Sequence, residues 1–159
     1  MKFLSAPWRW DFIANNRKNS GCIFCQALAQ DDREAMILWR GEKFFVLLNK
    51  YPYSTGHLMI APVAHLAAPD GLAGSELAEM WELTKRAMAI LRKNFHPDGF
   101  NIGMNIGPAA GAGVKDHFHQ HVVPRWQGDA NFMALIGKTQ VLSYDQEEVF
   151  RIIGNAFRQ

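Results

Sequence analysis

Three histidines, His117, His119 and His121, occupy every second position of one short segment. A β-strand sends alternate side chains to the same face. A strand over 116–123, ended by Pro124, therefore turns all three imidazoles one way and Phe118 and Gln120 the other. Three of the chain's six histidines fall within these five residues. Their flanks are apolar and strand-like, unlike those of a low-complexity histidine run.

The remaining segments surround that strand with an α+β pattern. Apolar runs at 36–39 and 44–48, separated by Arg40-Gly41-Glu42-Lys43, predict a β-hairpin. A third strand over 57–61 follows the turn residues 51–56 and stops at Pro62. Across 75–95 the residues Leu77, Met80, Trp81, Thr84, Met88, Leu91 and Phe95 recur at helical spacing. Ser75 is the expected N-cap, Pro97 and Gly99 mark the end, and His96 fits a capping or dipole role there. Phe100, Ile102, Met104 and Ile106 then alternate with Asn101, Gly103, Asn105 and Gly107, the pattern of a half-buried strand. A short helix is expected near 25–30, closed by the polar residues 31–34, and another over 145–158. Residues 1–21 read as irregular, with Trp8, Trp10 and Phe12 docking on the core. Five strands with one long helix between the third and fourth indicate an antiparallel α+β domain.

Length and composition narrow the function. The 159 residues suit one domain, with no internal repeat or linker. A formal charge of +2 is too small for a nucleic-acid-coating surface. No stretch approaches the ~20 apolar residues that span a bilayer, and Pro7, Arg9 and Asp11 interrupt any secretory run. A cytoplasmic protein with neither nucleic acid nor membrane as partner is expected. In a reducing compartment, Cys22-x-x-Cys25 suggests metal or redox chemistry.

The triad admits three chemistries. It is a surface run, part of a catalytic metal site, or a nucleophile with accompanying donors acting at phosphorus. Histidine suits the last, because a reference pKa near 6.5 leaves a neutral, nucleophilic nitrogen at neutral pH. Upstream, Gly107–Gly113 with Ala109, Ala110 and Ala112 makes a loop whose backbone N–H groups can approach phosphate oxygens. Asn105, Lys115 and Arg125 add further donors, the last two being more often simply solvated.

The motif His117-Phe118-His119-Gln120-His121-Val122-Val123 resembles that of the histidine-triad (HIT) superfamily of nucleotide hydrolases and transferases. Gly56-His57-Leu58-Met59-Ile60-Ala61-Pro62 with His65 is similar to another family block, and Gly21-Cys22-Ile23-Phe24-Cys25 to its N-terminal zinc block. Several stretches resemble the diadenosine tetraphosphate phosphorylase-like branch. They are Ala6-Pro7-Trp8-Arg9, Leu48-Asn49-Lys50-Tyr51-Pro52-Tyr53, Gly111-Ala112-Gly113, and Pro124-Arg125-Trp126-Gln127-Gly128-Asp129 with Asn131-Phe132-Met133.

The resemblance implies a HIT-like fold over residues 1–159, a five-stranded antiparallel sheet with one long helix and a C-terminal helix. Within it, 1–34 would carry the CxxC zinc half-site, 35–124 the catalytic core and 125–159 the tail. His119 would attack the α-phosphorus of an adenine-type nucleotide or dinucleoside polyphosphate and carry the nucleotidyl group. His121 and His57 would contact phosphate oxygens, Asn49 and Asn105 would hold ribose or phosphate, and the chain would form homodimers. Where many relatives carry Gly-Gln-Ser/Thr, this chain has Ala112-Gly113-Val114, so backbone amides of Gly113 and Val114 would replace the side-chain donors. A zinc ion on Cys22, Cys25, His65 and His117 is also implied. Residues two apart on a strand are about 6.6 Å apart, so that zinc would lie near His119 without sharing its phosphate, as a structural ion with no organic cofactor. A phosphoramidate or adenylate-conjugate hydrolase with the same nucleophile, a non-catalytic nucleotide-binding regulator and a metallohydrolase remain the alternatives.

Overall fold

The computed structural model describes residues 21–129 and 143–158. The aromatic cluster expected at Trp8, Trp10 and Phe12, and the stretches 6–9 and 131–133, lie outside the described residues.

Five strands form one antiparallel sheet: β1 (Ile37–Arg40), β2 (Phe44–Leu48), β3 (Leu58–Pro62), β4 (Gly99–Met104) and β5 (Gln120–Arg125). Their order is β1-β2-β3-β5-β4, which puts β5 inside the sheet and β4 at its edge. Among the described residues three α-helices accompany it: α1 (Ile23–Leu28), α2 (Gly74–Phe95) and α3 (Gln146–Arg158). The expected α+β fold, a five-stranded antiparallel sheet with one long helix and a C-terminal helix, is the one observed.

The apolar runs have a simple cause: both faces of the sheet are covered. Phe44, Val46 and Leu48 of β2 join Leu58, Ile60 and Val122 in a core shared with α2 and α3. Phe45 and Leu47 face the other way, packing with Met59, Ala61 and Phe24 of α1. A strand buried on both sides shows no alternation, which is why 44–48 reads as continuous hydrophobic sequence.

The long helix differs in two details from its sequence pattern. Its N-cap is Ala73, not Ser75, and the Glu76 carboxylate accepts the Ala73 N–H at 2.8 Å. Its buried stripe is Met80, Leu83, Thr84, Ala87, Ile90, Leu91 and Phe95, and Trp81 is 52% exposed. Each helical residue advances about 100°, so once Met80 and Thr84 point inward, Trp81 is carried off the stripe. His96 ends the helix in a left-handed conformation, φ 49°, its N–H bonded to the Arg92 carbonyl.

Strand β5 begins later than the expected 116 and runs past Pro124. Ahead of it, the Phe118 N–H bonds to the Leu66 carbonyl (2.7 Å), outside any ladder. Pro124 is tolerated because β3 no longer pairs alongside: that ladder ends at Leu58↔Val122. The alternation of side chains holds nonetheless. Phe118 and Gln120 face the helices, where the Thr84 hydroxyl lies 2.8 Å from the Met80 carbonyl and 2.9 Å from Gln120 Oε1, sharing its one hydrogen between them. Trp126 Nε1–H donates to the Phe95 carbonyl (3.1 Å), closing the sheet end against α2.

Candidate active site and metal centre

The sheet face opposite α2 and α3 carries the imidazoles. Antiparallel pairing sets Met59 and Gly103 on either side of His121. His57 arrives by way of a tight turn: Gly56 has φ 75°, and a Cβ there would sit 2.9 Å from Leu91 Cδ2. Gly103 is different, since a Cβ there would meet nothing within 4 Å. The absent side chain leaves open space beside His121.

Hydrogen-bond partners fix which nitrogen of each ring carries a proton. The Tyr53 backbone N–H donates to His57 Nδ1 (3.1 Å), so a neutral His57 holds its hydrogen on Nε2. His57 Nε2 lies 2.9 Å from His121 Nδ1 and donates to it, which places the His121 hydrogen on Nε2. His119 Nδ1 lies 3.1 Å from the His117 carbonyl and donates there, leaving the Nε2 lone pair as its nucleophilic end. The rings of His119 and His121 meet edge to face at 4.8 Å between centroids.

Burial favours the neutral form of the His57 and His119 rings. His57 is 1% exposed, and desolvation, with further contributions from His121 and His119, pushes its pKa down to about 3. His119 is lowered by burial, partly offset by its bond to the His117 carbonyl. His57 is thus shielded from solvent and held 2.9 Å from His121.

Asn49 sits beside this pair. Its Oδ1 accepts the Tyr51 N–H (2.9 Å), and its Nδ2 lies 3.4 Å from His57 Nε2. Asn105 bridges to the Gly/Ala loop, its Nδ2 donating to the Gly111 carbonyl (3.3 Å). Gly113 is exposed at the end of that loop, and Val114 packs against the Phe24 cluster. Arg125 is engaged elsewhere, bonded to both Asp129 oxygens (2.6 and 2.7 Å) and to Asn101 Oδ1 (2.9 Å). Lys115 lies 3.8 Å from Asp116 at the surface.

Next to the triad, Cys22, Cys25, His65 and His117 converge, all four ligand atoms within 4.8 Å of one another. His117 Nδ1 lies 3.3 Å from Cys22 Sγ and 3.7 Å from Cys25 Sγ, and His65 Nδ1 lies 3.3 Å from Cys25 Sγ. A tetrahedral zinc with bonds of 2.0–2.3 Å separates its ligands by roughly 3.3–3.8 Å. The donor chemistry and these spacings fit zinc. His117 Nε2–H donates to the Pro62 carbonyl (2.9 Å), which orients Nδ1 as the ligand nitrogen.

Sequence reasoning had no view of three groups in this region. The Pro62 carbonyl and the Tyr53 N–H are backbone atoms, invisible to residue type. Phe24, whose ring lies 4.7 Å from that of His119 and 5.1 Å from that of His117, was legible only as one of the two residues between the cysteines.

Comparisons with known proteins converge on one family. The HIT domain model matches residues 30–128. An AP-4-A phosphorylase of Mycobacterium tuberculosis is 35% identical over 147 residues, covering 87% of this chain and 75% of that protein. The crystal structure of a zinc-bound histidine triad family protein from Mycobacterium smegmatis superposes with a TM-score of 0.69 at 28% identity, covering 87% of this chain and 94% of that one. A histidine triad nucleotide-binding protein of Sulfolobus tokodaii gives 0.68 at 28% identity, covering 86% and 92%. Among the described residues, no helix is long and apolar enough to cross a membrane.

Proposed function

The chain belongs to the HIT family, and from that premise we propose that it transfers a nucleotidyl group from dinucleoside polyphosphates such as diadenosine tetraphosphate, through a bond between His119 Nε2 and the α-phosphorus. The observation that carries this is the commitment of His119 Nδ1–H to the His117 carbonyl, which leaves Nε2 unprotonated in a buried ring. The named activity of the M. tuberculosis relative supports the substrate class.

The steps balance simply. The Nε2 lone pair attacks phosphorus, the bond to the bridging oxygen breaks, and a nucleoside polyphosphate leaves as an anion. His121 Nε2–H donates to an oxygen on the phosphate or the leaving group, and His57 holds His121 in the required tautomer. An oxygen of inorganic phosphate or of water then attacks the phosphorus, the P–N bond breaks, and the lone pair returns to Nε2; when water attacks, its proton is released to solvent with the monophosphate product. Asn49 and Asn105 hold ribose or phosphate, with the backbone amides of Gly113 and Val114 along the loop.

Cys22, Cys25, His65 and His117 would hold a structural zinc. Four protein ligands leave no open position, so the ion supplies cross-linking of the N-terminal segment to the sheet and no reactive oxygen. Assembly is read as a homodimer joined along β4, the sheet edge that carries the half-buried Phe100, Ile102 and Met104.

The test is an assay on diadenosine tetraphosphate with and without inorganic phosphate, alongside adenosine phosphoramidate and an adenylate conjugate. Phosphorolysis produces a nucleoside diphosphate from the attacked half, and hydrolysis a monophosphate. Mass spectrometry of the trapped protein should place a nucleotide on the peptide containing His119. Turnover of the phosphoramidate alone, or nucleotide binding with no turnover, would sink the proposal.

A further inference from the structure

We propose that Phe24 is a positioning residue for His119, and that the Cys22/Cys25/His65/His117 centre acts on the triad through this ring. The proposal rests on the reading of His119 as the nucleophile, and extends the metal's part from holding the fold to holding the reacting imidazole.

The geometry is local. Phe24 is fully buried between the two cysteines, and its ring lies against His119 at 4.7 Å and against His117 at 5.1 Å. His119 is thus confined by three contacts: the His117 carbonyl at Nδ1, the His121 ring in an edge-to-face contact, and the Phe24 ring, tilted 40° against it. Phe24 stands in the way of imidazole rotation on its side of the ring.

What holds Phe24 is not its helix. Six residues are far too few for a helix to persist alone. At its C-terminal end the Arg40 guanidinium clasps the Leu28 carbonyl (2.8 Å) and the Gln30 carbonyl (3.0 Å). At the other end Phe24 itself packs among Phe45, Leu47, Met59 and Ala61, and the polar anchors on either side of it are Cys22 and Cys25, the two thiols of the metal cluster. A metal joining them to His65 and His117 fixes the backbone that carries the ring. The same ion fixes His117, whose carbonyl is the acceptor for His119. Two of the three restraints on the nucleophile's ring, the His117 carbonyl and Phe24, thus adjoin this one centre.

The test compares Phe24→Leu and Phe24→Met with the native chain, each loaded with zinc and checked for zinc content. The Leu and Met side chains keep an apolar filler but lose the flat ring face. We expect one zinc per chain in both variants, KM within about twofold, and kcat lower by about tenfold, since small misplacements of a reacting group are costly. The second readout needs no activity. In protein labelled with ¹⁵N-histidine, the His119 Nδ1–H bonded to the His117 carbonyl should exchange slowly in the native chain and faster in both variants.

Unchanged kcat with an unchanged His119 signal in the zinc-loaded variants overturns the proposal. Loss of kcat that follows zinc content one for one also overturns it, because Phe24 would then serve only metal retention. A His119→Ala control separates the two readings. If that variant still turns over substrate, the nucleophile is misassigned, and the exchange measurement alone decides whether Phe24 holds the ring.

Discussion

His117 and His121 stand equally far from His119 in sequence, yet the fold gives them opposite employments. His117 turns Nδ1 to two thiols and donates Nε2–H to a main-chain carbonyl at the end of β3. His121 accepts from a second buried imidazole, which itself accepts from a backbone N–H. In the proposed mechanism, identical residue types at identical spacing thus become a metal ligand on one side and a hydrogen-bond donor to phosphate on the other. The difference lies in the second partner of each ring. A histidine's task is set by what occupies its far nitrogen.

That contrast can be broken at several points. The largest effect belongs to the ring between the two regions. His119→Ala should lower turnover by more than about 10³ while leaving zinc content unchanged; substantial residual turnover would remove the covalent route.

On the acid side, His121→Ala should lower turnover by about 10²–10³. Gly103→Val should approach the low end of that range by filling the open space beside His121. The Gly103 substitution carries no backbone strain, so its urea midpoint should match the native one. A stable Gly103→Val protein with native kinetics would show that the space is not used.

On the metal side, strong chelation or Cys25→Ser should lower the thermal midpoint by about 10 °C, read by calorimetry. If activity vanished on chelation with the midpoint unmoved, the ion would be catalytic and the two regions would have to exchange roles.

A smaller effect follows from His57. Its pKa falls from an ordinary 6.5 to about 3 on folding, so the folded protein binds fewer protons than the unfolded chain across that interval. The stability associated with a neutral His57 is complete above about pH 6.5. It is lost as pH falls through 6.5 toward 3, by at most about 1.4 kcal/mol per pH unit. Urea midpoints of native and His57→Asn protein between pH 7 and 5 should therefore converge as the solution is acidified, and parallel profiles would contradict it. The smallest effect is at Arg125, whose ion pair with Asp129 is partly exposed. Arg125→Lys should cost less than about 1 kcal/mol and leave turnover unchanged.

Much of this was legible before any coordinates, for reasons that differ by residue. Alternation at 117–121 requires only strand periodicity, and the face assignments of Phe118 and Gln120 survive although the ladder starts at Gln120. The start of β5 was not legible, because the competing partner of the Phe118 N–H is the Leu66 carbonyl, 52 positions away in the chain. Trp81 misled because hydrophobic character alone does not say which side of a helix is buried. The N-cap moved from Ser75 to Ala73 because the Glu76 side chain supplied the acceptor. The Cys22–His117 approach joins residues 95 apart, a distance no local pattern encodes. Residue identity announced the chemistry, and long-range contact distributed it.

The Thr84–Gln120 contact behind the triad has a consequence for how the protein reaches its working state. Sliding β5 by a single position against its neighbours would bring Phe118 and Gln120 onto the pocket face and send the imidazoles among the helices. Such a chain would be collapsed and chemically inert. Gln120 finds Thr84 in one alignment alone, so a polar pair in an otherwise oily layer gives the correct alignment a reward that its misaligned competitors forgo. Proofreading of the pocket thus begins on the side of the sheet that substrate never sees.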